Sequence, residues 1–231
     1  MESMQSNLAR QKESSPSESL FERWAWFYAM CREYLFRDHT QEISQSLFPT
    51  EPEKGTHLLE LGCGPGFYAC RLAQRYPQIV ATGIDLSERL IERARFRAAS
   101  RSLGNCNFHR GDAQSLPDLA NPVDVIVLSR LFLIVPKKEA VLSEVHRVLR
   151  PGGRCFIAEP TSGFRTRIPL SCMWLLSRFS SSPAGKYREP RQADVLSRPE
   201  FTTLVHSQPW ASVEIVYDGW YQYAVCTKAA D

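Results

Sequence analysis

The spacing of apolar residues along the chain alternates between strand-like and helix-like segments. A short apolar run, Leu58 to Leu61, leads into a glycine cluster, a helical segment follows from Phe67 to about Tyr76, and a second apolar stretch from Ile79 ends at Asp85. Strand, tight turn, helix and strand in this order form the opening unit of a doubly wound α/β fold. The pattern therefore predicts a mostly parallel sheet with helices on both faces.

The rest of the chain continues this alternation. Ser87 is a suitable N-cap for a helix that runs to about Ser100, and Val123 to Leu128 is nearly all apolar, as expected for a strand buried on both faces. Asp218-Gly219 separates two late apolar runs and predicts a hairpin. The other predicted elements are helices over 20–36 and 40–47, strands over 106–110 and 154–159, a helix that Pro136 opens and that runs to Leu149, and closing strands over 213–216 and 220–227.

The length of 231 residues is typical of one domain. Residues 1–16 are polar and predict a disordered leader, so the single domain is expected to span residues 17–231. Within it, residues 17–48 form a helical segment before the first strand. Residues 161–210 form an insert between the fifth strand and the last two, on the substrate side of the sheet.

Composition narrows the class of protein. Hydrophobic residues make up 43% and charged residues 23% of the chain, which is ordinary for a globular protein, and a net charge of +3 gives no reason to expect a nucleic-acid partner. The seven cysteines are scattered and do not pair with histidines in zinc-site spacing. We therefore expect reduced thiols in a cytoplasmic protein, with no metal site. No signal peptide or membrane-spanning stretch is predicted.

The glycine cluster indicates a nucleotide-like ligand. The dinucleotide pattern G-x-G-x-x-G fails because its third glycine would fall at Phe67, and no Gly-Lys-Ser/Thr follows as in a phosphate loop. A carboxylate at Glu60, beside the turn, would repel a pyrophosphate but suits a ligand that carries an ammonium or sulfonium charge. Asp85 stands about 20 residues past the turn, where such folds place a carboxylate for a ribose hydroxyl.

Three segments resemble known signatures. Glu60 to Gly66, E-L-G-C-G-P-G, resembles the first motif of class I S-adenosylmethionine-dependent methyltransferases, and Arg147 to Gly153, R-V-L-R-P-G-G, resembles a structural signature of the same family. Residues 21–28 resemble the leader of the quinone-biosynthesis and phospholipid methyltransferase branch, although Ala29 stands where that leader has Asp. The motif resemblance covers roughly residues 57–160.

This resemblance implies a fold, a cofactor and a set of binding residues. The fold is a Rossmann-like, seven-stranded, mostly parallel sheet with a closing antiparallel hairpin and a helical lid over residues 17–48. The cofactor is S-adenosyl-L-methionine and the product S-adenosyl-L-homocysteine. Asp112 would accept a hydrogen bond from the adenine amino group. The implied cofactor-binding residues are Tyr28, Glu60, Gly62, Cys63, Gly64, Gly66, Asp85, Leu86, Asp112, Ala113 and Ser129.

The resemblance also implies methyl transfer to a small-molecule acceptor. An in-line displacement at the methyl carbon needs mainly proximity and alignment, and Leu133-Ile134 stands where many relatives carry a His pair. We therefore assign no catalytic residue. The candidates for contact with the acceptor are Tyr28, Arg130, Glu159 and Tyr187.

The insert bears on the nature of the acceptor. Residues 161–191 carry six basic residues against one acid, a net charge of +5 compared with +3 for the whole chain, around the apolar stretch 168–176. This pattern predicts an amphiphilic acceptor or contact with a membrane surface; packing of the stretch on the domain is the alternative. Two other functions stay open, a non-catalytic S-adenosylmethionine-binding protein and a nucleic-acid methyltransferase, which the lack of an N-P-P-Tyr/Phe motif disfavours.

Overall fold

The computed structural model describes residues 25–34, 37–118, 121–161 and 195–230. The described strands form one sheet and the described helices pack around it. The strands are β1 His57–Leu61, β2 Val80–Asp85, β3 Cys106–Arg110, β4 Val123–Ser129, β5 Leu149–Pro160, β6 Trp210–Tyr217 and β7 Tyr221–Lys228. The helices are α1 Ala25–Tyr34, α2 Thr40–Leu47, α3 Phe67–Arg75, α4 Glu88–Ser100, α5 Lys138–Val148 and α6 Arg198–Val205.

The seven strands follow the order β3-β2-β1-β4-β5-β7-β6. Pairs among the first five are parallel, and β7 runs antiparallel to both β5 and β6. Strand order reverses between β1 and β4, which is where open α/β sheets bind ligands, at the carboxyl ends of the strands. The predicted Rossmann-like, mostly parallel sheet with an antiparallel end is confirmed.

Alternate residues of the central strands bury themselves in two different cores. Leu59 of β1 and Ile157 of β5 belong to the core beneath α5 and α6, whereas Leu58 and Phe156 belong to the core beneath α2, α3 and α4. Side chains of a strand alternate between the two faces of its sheet, and all four of these side chains are fully buried. The near-continuous apolar strands of the sequence therefore reflect burial on both faces.

Local capping explains several element boundaries. The Ser87 hydroxyl accepts a hydrogen bond from the Leu90 amide at 3.2 Å, so α4 begins where its N-cap was predicted. Helix α5 begins at Lys138 rather than at Pro136. Strand β5 begins at Leu149, directly after α5, rather than at Arg154, so Gly153 lies within the strand. A Cβ atom on Gly153 would stand 2.9 Å from the Asp124 carbonyl oxygen, which explains the glycine there.

The closing hairpin forms at the predicted dipeptide. The Asp218 carboxylate accepts from the Trp220 amide at 3.1 Å and from the Tyr221 amide at 2.7 Å, and Gly219 has φ of +83°. A side-chain carboxylate that binds the amides two and three residues ahead is a common turn device, and glycine accepts positive φ without a steric cost. Strand β6 is longer than predicted, since it already begins at Trp210, and β7 has the predicted length but begins one residue later.

Helix α6 was missed by the sequence analysis, although it falls in the segment 161–210. Ser197 and Glu200 form a capping box, with the Ser197 hydroxyl and amide bonded to the Glu200 carboxylate at 2.6 and 2.8 Å. Phe201 is fully buried and belongs to the core on the α5 and α6 side of the sheet. The S-x-x-E pattern was visible in the sequence, but the helix has only eight residues and shows little periodicity.

Other predictions concern residues outside the described ranges. These are the leader over 1–16, the start of the helix predicted from Leu20, and most of the insert, including Tyr187. The described part of α1 begins at Ala25, and the side chain of Tyr28 is not described. Within the described residues no helix combines the length and apolarity needed to cross a bilayer.

Candidate functional site

A glycine turn leads from β1 into α3 at the centre of the sheet. Gly62, Gly64 and Gly66 all have positive φ, of 65°, 50° and 69°, a region that side chains with a Cβ rarely adopt. Packing adds a second reason for glycine, because a Cβ on Gly62 would stand 2.8 Å from Leu131 and one on Gly66 2.8 Å from Phe108. The turn therefore lies close against its neighbours at the carboxyl end of β1.

Asp85 fastens this turn to the end of β2. Its Oδ2 accepts from the Gly64 amide at 2.9 Å, and its Oδ1 accepts from the Ser87 amide at 2.9 Å. A carboxylate offers about four accepting positions, so these two amides do not exhaust its capacity. The carboxylate that was predicted to bind a ribose, that of Asp85, thus contacts the predicted glycine turn directly, across neighbouring strands.

Glu60 has a partner within the chain that the sequence analysis did not foresee. The residue is only 3% exposed, and its Oε2 accepts from the Ala69 amide at 2.8 Å. Ala69 is the third residue of α3, whose N-cap, Gly66, has no side chain that could bind the amides of the first turn. Glu60 therefore caps α3 from the neighbouring strand, and its negative charge lies at the positive end of the helix dipole.

The predicted adenine-binding residues lie after β3. The Asp112 carboxylate accepts from the Gln114 amide at 2.9 Å and from its side-chain nitrogen at 3.1 Å, which closes a local turn. Ala113 is buried, whereas Leu86 is exposed. Gln114 is thus an internal competitor for the hydrogen bond that the sequence analysis reserved for an adenine amino group.

Two residues at the carboxyl end of β4, Ser129 and Arg130, have unusual surroundings or geometry. The Ser129 Oγ is buried and has no hydrogen-bond partner among the described residues. Arg130 has φ of +61°, an uncommon conformation for a residue with a side chain. Its amide donates to the Ala158 carbonyl at 2.8 Å, and its guanidinium donates to the Tyr221 hydroxyl at 2.9 Å. The arginine side chain is therefore directed by a partner on β7.

Glu159 lies at the end of β5 and is 2% exposed. Its Oε1 accepts from the Phe132 amide at 2.9 Å, and its buried Oε2 has no hydrogen-bond partner among the described residues. Burial raises the pKa of Glu159 to about 8, against the opposing effects of the Phe132 amide and the Arg130 charge. A carboxyl group with this pKa carries a proton over much of the neutral range.

The structure therefore joins most of the predicted residues along one edge. Strands β2, β1, β4 and β5 are successive neighbours, so Asp85, Glu60, Ser129 and Glu159 follow one another at their carboxyl ends. Tyr221 was missed by the sequence analysis and belongs to this edge through its bond with Arg130. Nothing in its local sequence signals this role.

The edge has the chemistry expected for a ligand with a ribose and a charged amino-acid part. Two acidic side chains, Glu60 and Asp85, flank the glycine turn, and the buried Ser129 hydroxyl has bonding capacity that the described residues leave unused. Phosphate groups would be repelled by this set of carboxylates. Among the described residues, no cluster of His, Cys, Asp and Glu could hold a metal ion.

Comparison with known proteins gives a consistent family. A family model described as a methyltransferase domain matches residues 52–184. The chain is 30% identical over 141 residues to the ubiquinone/menaquinone biosynthesis C-methyltransferase UbiE of Ruegeria sp., covering 59% of this chain and 56% of that protein. It is 28% identical over 159 residues to the demethylmenaquinone methyltransferase of Geobacillus kaustophilus, covering 67% of this chain and 68% of that protein.

The fold of this chain is similar, over nearly its whole length, to that of a solved structure. That structure is a putative S-adenosyl-L-methionine-dependent methyltransferase from Methanococcus maripaludis, with a TM-score of 0.67 and 18% identity, covering 94% of this chain and 98% of that chain. At this identity the likeness concerns the fold alone. The match to the Ruegeria protein spans little more than half of that relative's length.

Proposed function

Since the chain belongs to the methyltransferase-domain family, we propose that it transfers a methyl group from S-adenosyl-L-methionine to a small-molecule acceptor. The observation that carries the proposal is the bond from the Gly64 amide to the Asp85 carboxylate. This bond supports the proposal because it holds the Asp85 carboxylate, the proposed ribose contact, against the glycine turn, next to the point where strand order reverses.

The proposed cofactor site extends along the carboxyl ends of β2, β1 and β4. Glycine backbone of the turn lies against the amino-acid part, Glu60 faces its ammonium group, Asp85 accepts from the ribose and Asp112 from the adenine. The Ser129 hydroxyl, which has no hydrogen-bond partner in the described part of the chain, supports contact at the methionine end. The remaining proposed contacts are Cys63, Leu86, Ala113 and Tyr28, and Asp112 can serve only if it shares its oxygens with Gln114.

The sulfonium of the cofactor supplies an activated methyl group. This chain's own residues would hold the reacting atoms in line and exclude water. Such positioning can lower the activation barrier of a bimolecular transfer by a large amount. A base is needed only for an acceptor that must lose a proton to attack. Arg130 directly follows Ser129 at the end of β4, and Glu159 lies on β5, the next strand along the edge. We propose both, with Tyr28 and Tyr187, as acceptor contacts.

A direct test uses binding and turnover together. Calorimetry should show saturable binding of S-adenosylhomocysteine, and incubation of S-adenosylmethionine with demethylmenaquinone or a lipid extract should release S-adenosylhomocysteine. Demethylmenaquinone is suggested by the name of one relative. Binding without turnover on any extract would favour the non-catalytic alternative, and absence of binding would refute the proposal.

The acceptor is proposed to be amphiphilic, or to be taken from a membrane surface. The support is the net charge of +5 over residues 161–191, which surrounds an apolar stretch, and the quinone-related names of two relatives. Flotation with anionic liposomes should show binding that falls as salt rises. The triple variant Arg165→Ala/Arg167→Ala/Arg178→Ala should bind less, and no association at low salt would leave an acceptor from solution.

A further inference from the structure

Three consecutive residues between α1 and α2 contact both α3 and the closing hairpin. Arg37 forms an ion pair with Asp218 in the turn between β6 and β7. Asp38 forms an ion pair with Arg71 of α3 at 2.8 Å. His39, the third, is fully buried. The segment 37–39 therefore lies between the helix that follows the glycine turn and the hairpin at the far side of the sheet.

His39 contacts both sides through aromatic residues. Its backbone amide donates to the Tyr68 hydroxyl at 3.3 Å, and its Nδ1 lies 3.2 Å from the same oxygen. Its ring meets the Tyr221 ring edge-on, with centroids 4.6 Å apart, a favoured geometry for aromatic pairs. Tyr68 is the second residue of α3, directly after the glycine turn, and Tyr221 is the first residue of β7.

Tyr221 in turn directs Arg130. The hydroxyl of Tyr221 accepts from the Arg130 guanidinium at 2.9 Å, and Arg130 has a backbone conformation, with φ of +61°, that is unfavourable for a residue with a side chain. Such a conformation persists only where its surroundings fix it. An uninterrupted series of contacts thus runs from Tyr68 through His39 and Tyr221 to Arg130.

We propose that His39 is a positioning residue that holds Tyr221 against Tyr68 and thereby fixes the Arg130 guanidinium at the acceptor side. The designation of that side rests on the proposed function. A guanidinium presents its donors in a rigid planar fork, so its usefulness for orienting an acceptor depends on how closely its direction is fixed. Through His39, that direction depends on the helix that begins at the glycine turn.

If His39 served only to pack against its neighbours, its variants would behave differently from what the positioning role predicts. His39→Phe keeps a ring of similar size against Tyr221 but loses the bond between Nδ1 and the Tyr68 hydroxyl. His39→Gln keeps a polar group able to bond that hydroxyl. If His39 merely fills space, Phe should be the better replacement; if it positions Tyr221 and Arg130, Gln should be the better one.

The readout is the guanidinium of Arg130 itself. Nitrogen-15 NMR of arginine Nη–H groups, with the Arg130 signals assigned from Arg130→Lys, measures how fast the hydrogens on the nitrogen that donates to Tyr221 exchange with solvent. We expect exchange to be about tenfold faster in His39→Phe, a change of about 1.4 kcal/mol in the opening equilibrium. Tyr221→Phe, which removes the accepting hydroxyl, should give at least the same increase, and His39→Gln should restore most of the wild-type rate.

His57→Phe is the matched control. Like His39, His57 bonds a hydroxyl, that of Thr82 at 2.9 Å, but it is only partly buried and lies on β1 at the opposite end of the strand from the site. It should leave the Arg130 signal unchanged. A His39→Phe variant with a lowered melting temperature and an unchanged Arg130 signal would overturn the proposal.

Calorimetry with S-adenosylhomocysteine on the same variants separates this inference from the proposed function. If the wild-type protein does not bind that probe, the proposed function fails, while the Arg130 signal still decides for or against the role of His39. If the probe binds and the Arg130 signal does not respond to His39→Phe, the positioning role fails and the proposed function stands.

Discussion

The two halves of the carboxyl edge are built in different ways. In the half around β1 and β2, polar partners are close in sequence: Glu60 binds the amide nine residues ahead, and Asp85 the amide 21 residues back. In the half around β4, β5 and β7, Arg130 reaches a partner 91 residues ahead. One half is a local unit of strand, turn, helix and strand, and the other is assembled from distant segments.

The halves also differ in how completely their polar atoms are bonded. Both Asp85 oxygens accept amide hydrogens, whereas Glu159 and Ser129 each keep a buried oxygen with no hydrogen-bond partner among the described residues. Buried polar atoms without partners are costly unless a ligand or water supplies one. The first half is thus preorganised by its own chain, and the second has bonding capacity left for an acceptor.

The largest expected effect tests the second half through the pKa of Glu159. Because its folded-state pKa, about 8, lies above the ordinary value of 4.5, the group's contribution to stability is complete below that ordinary value. The contribution is lost as pH rises through about 8. Each unit of the shift corresponds to about 1.4 kcal/mol. Urea unfolding across this range should therefore show wild type losing stability relative to Glu159→Gln.

Glu144→Gln provides a control of opposite sign. The hydrogen bond from Arg147 lowers the pKa of Glu144, so its contribution is present at neutral pH and is lost as pH falls through that lowered pKa. A difference between wild type and Glu159→Gln that stayed constant with pH would show that Glu159 is ionised in the folded protein, and the contrast between the halves would weaken.

The next largest effect concerns the first half. Asp85→Ala removes the carboxylate from both the glycine turn and the proposed ribose contact, which should cost roughly 2–4 kcal/mol of binding. Calorimetry with S-adenosylhomocysteine should then show an affinity lower by about a hundredfold. Asp118→Ala, which removes a fully exposed carboxylate, should bind as wild type does, and near-normal affinity of Asp85→Ala would refute the assignment.

The same contrast explains what could be read from the sequence. The motif from Glu60 to Gly66 and the carboxylate at Asp85 were legible because glycine geometry and a short βαβ unit tie each residue type to a fixed place. The cap that Glu60 supplies to α3 was not predicted, because the sequence of a strand does not show which helix N-terminus its side chains will contact. The alternation of apolar strands was sufficient for the parallel sheet.

The second half could not be read in the same way. His39, Tyr221 and Gln222 carry no motif, and their neighbours follow from tertiary packing; Gln222, for example, is fully buried and donates to the Leu196 carbonyl at 2.8 Å. Arg130 and Glu159 were selected only because strand ends attract ligands. Long-range pairing of single residues leaves no periodic signal in the chain.

A smaller effect is expected from Glu60→Gln. Glutamine can keep the bond to the Ala69 amide through its oxygen but loses the charge that faces the proposed ammonium group, which is worth roughly 1.5–3 kcal/mol for a charged hydrogen bond. Affinity for S-adenosylmethionine and S-adenosylhomocysteine should fall by about tenfold or more, and affinity for adenosine should change far less. Equal losses for adenosine would place the effect in the cap of α3 and remove Glu60 from the proposed site.

The smallest expected effect concerns α1, which ion pairs hold against the first half. The Glu33 carboxylate bonds Arg97 at 2.7 Å and Arg71 at 3.2 Å. Burial alone would raise the pKa of Glu33, but these two arginines hold it below its ordinary value. Partly exposed pairs of this kind contribute up to about 1 kcal/mol. Glu33→Gln should therefore speed hydrogen exchange across Ala25–Tyr34 by only a few fold.

The decisive comparison for the lid hypothesis is the same exchange measurement with and without S-adenosylhomocysteine. If α1 closes over the cofactor, ligand should slow exchange across the helix, and Glu33→Gln should weaken that protection because the closed position is held by the pairs with Arg71 and Arg97. High salt should act in the same direction. Glu88→Gln, which removes an exposed pair with Arg95 on α4, should change neither rate. Strong protection of α1 without ligand that does not change when S-adenosylhomocysteine is added would identify the helix as a permanent part of the core. The preorganised half of the edge would then include α1.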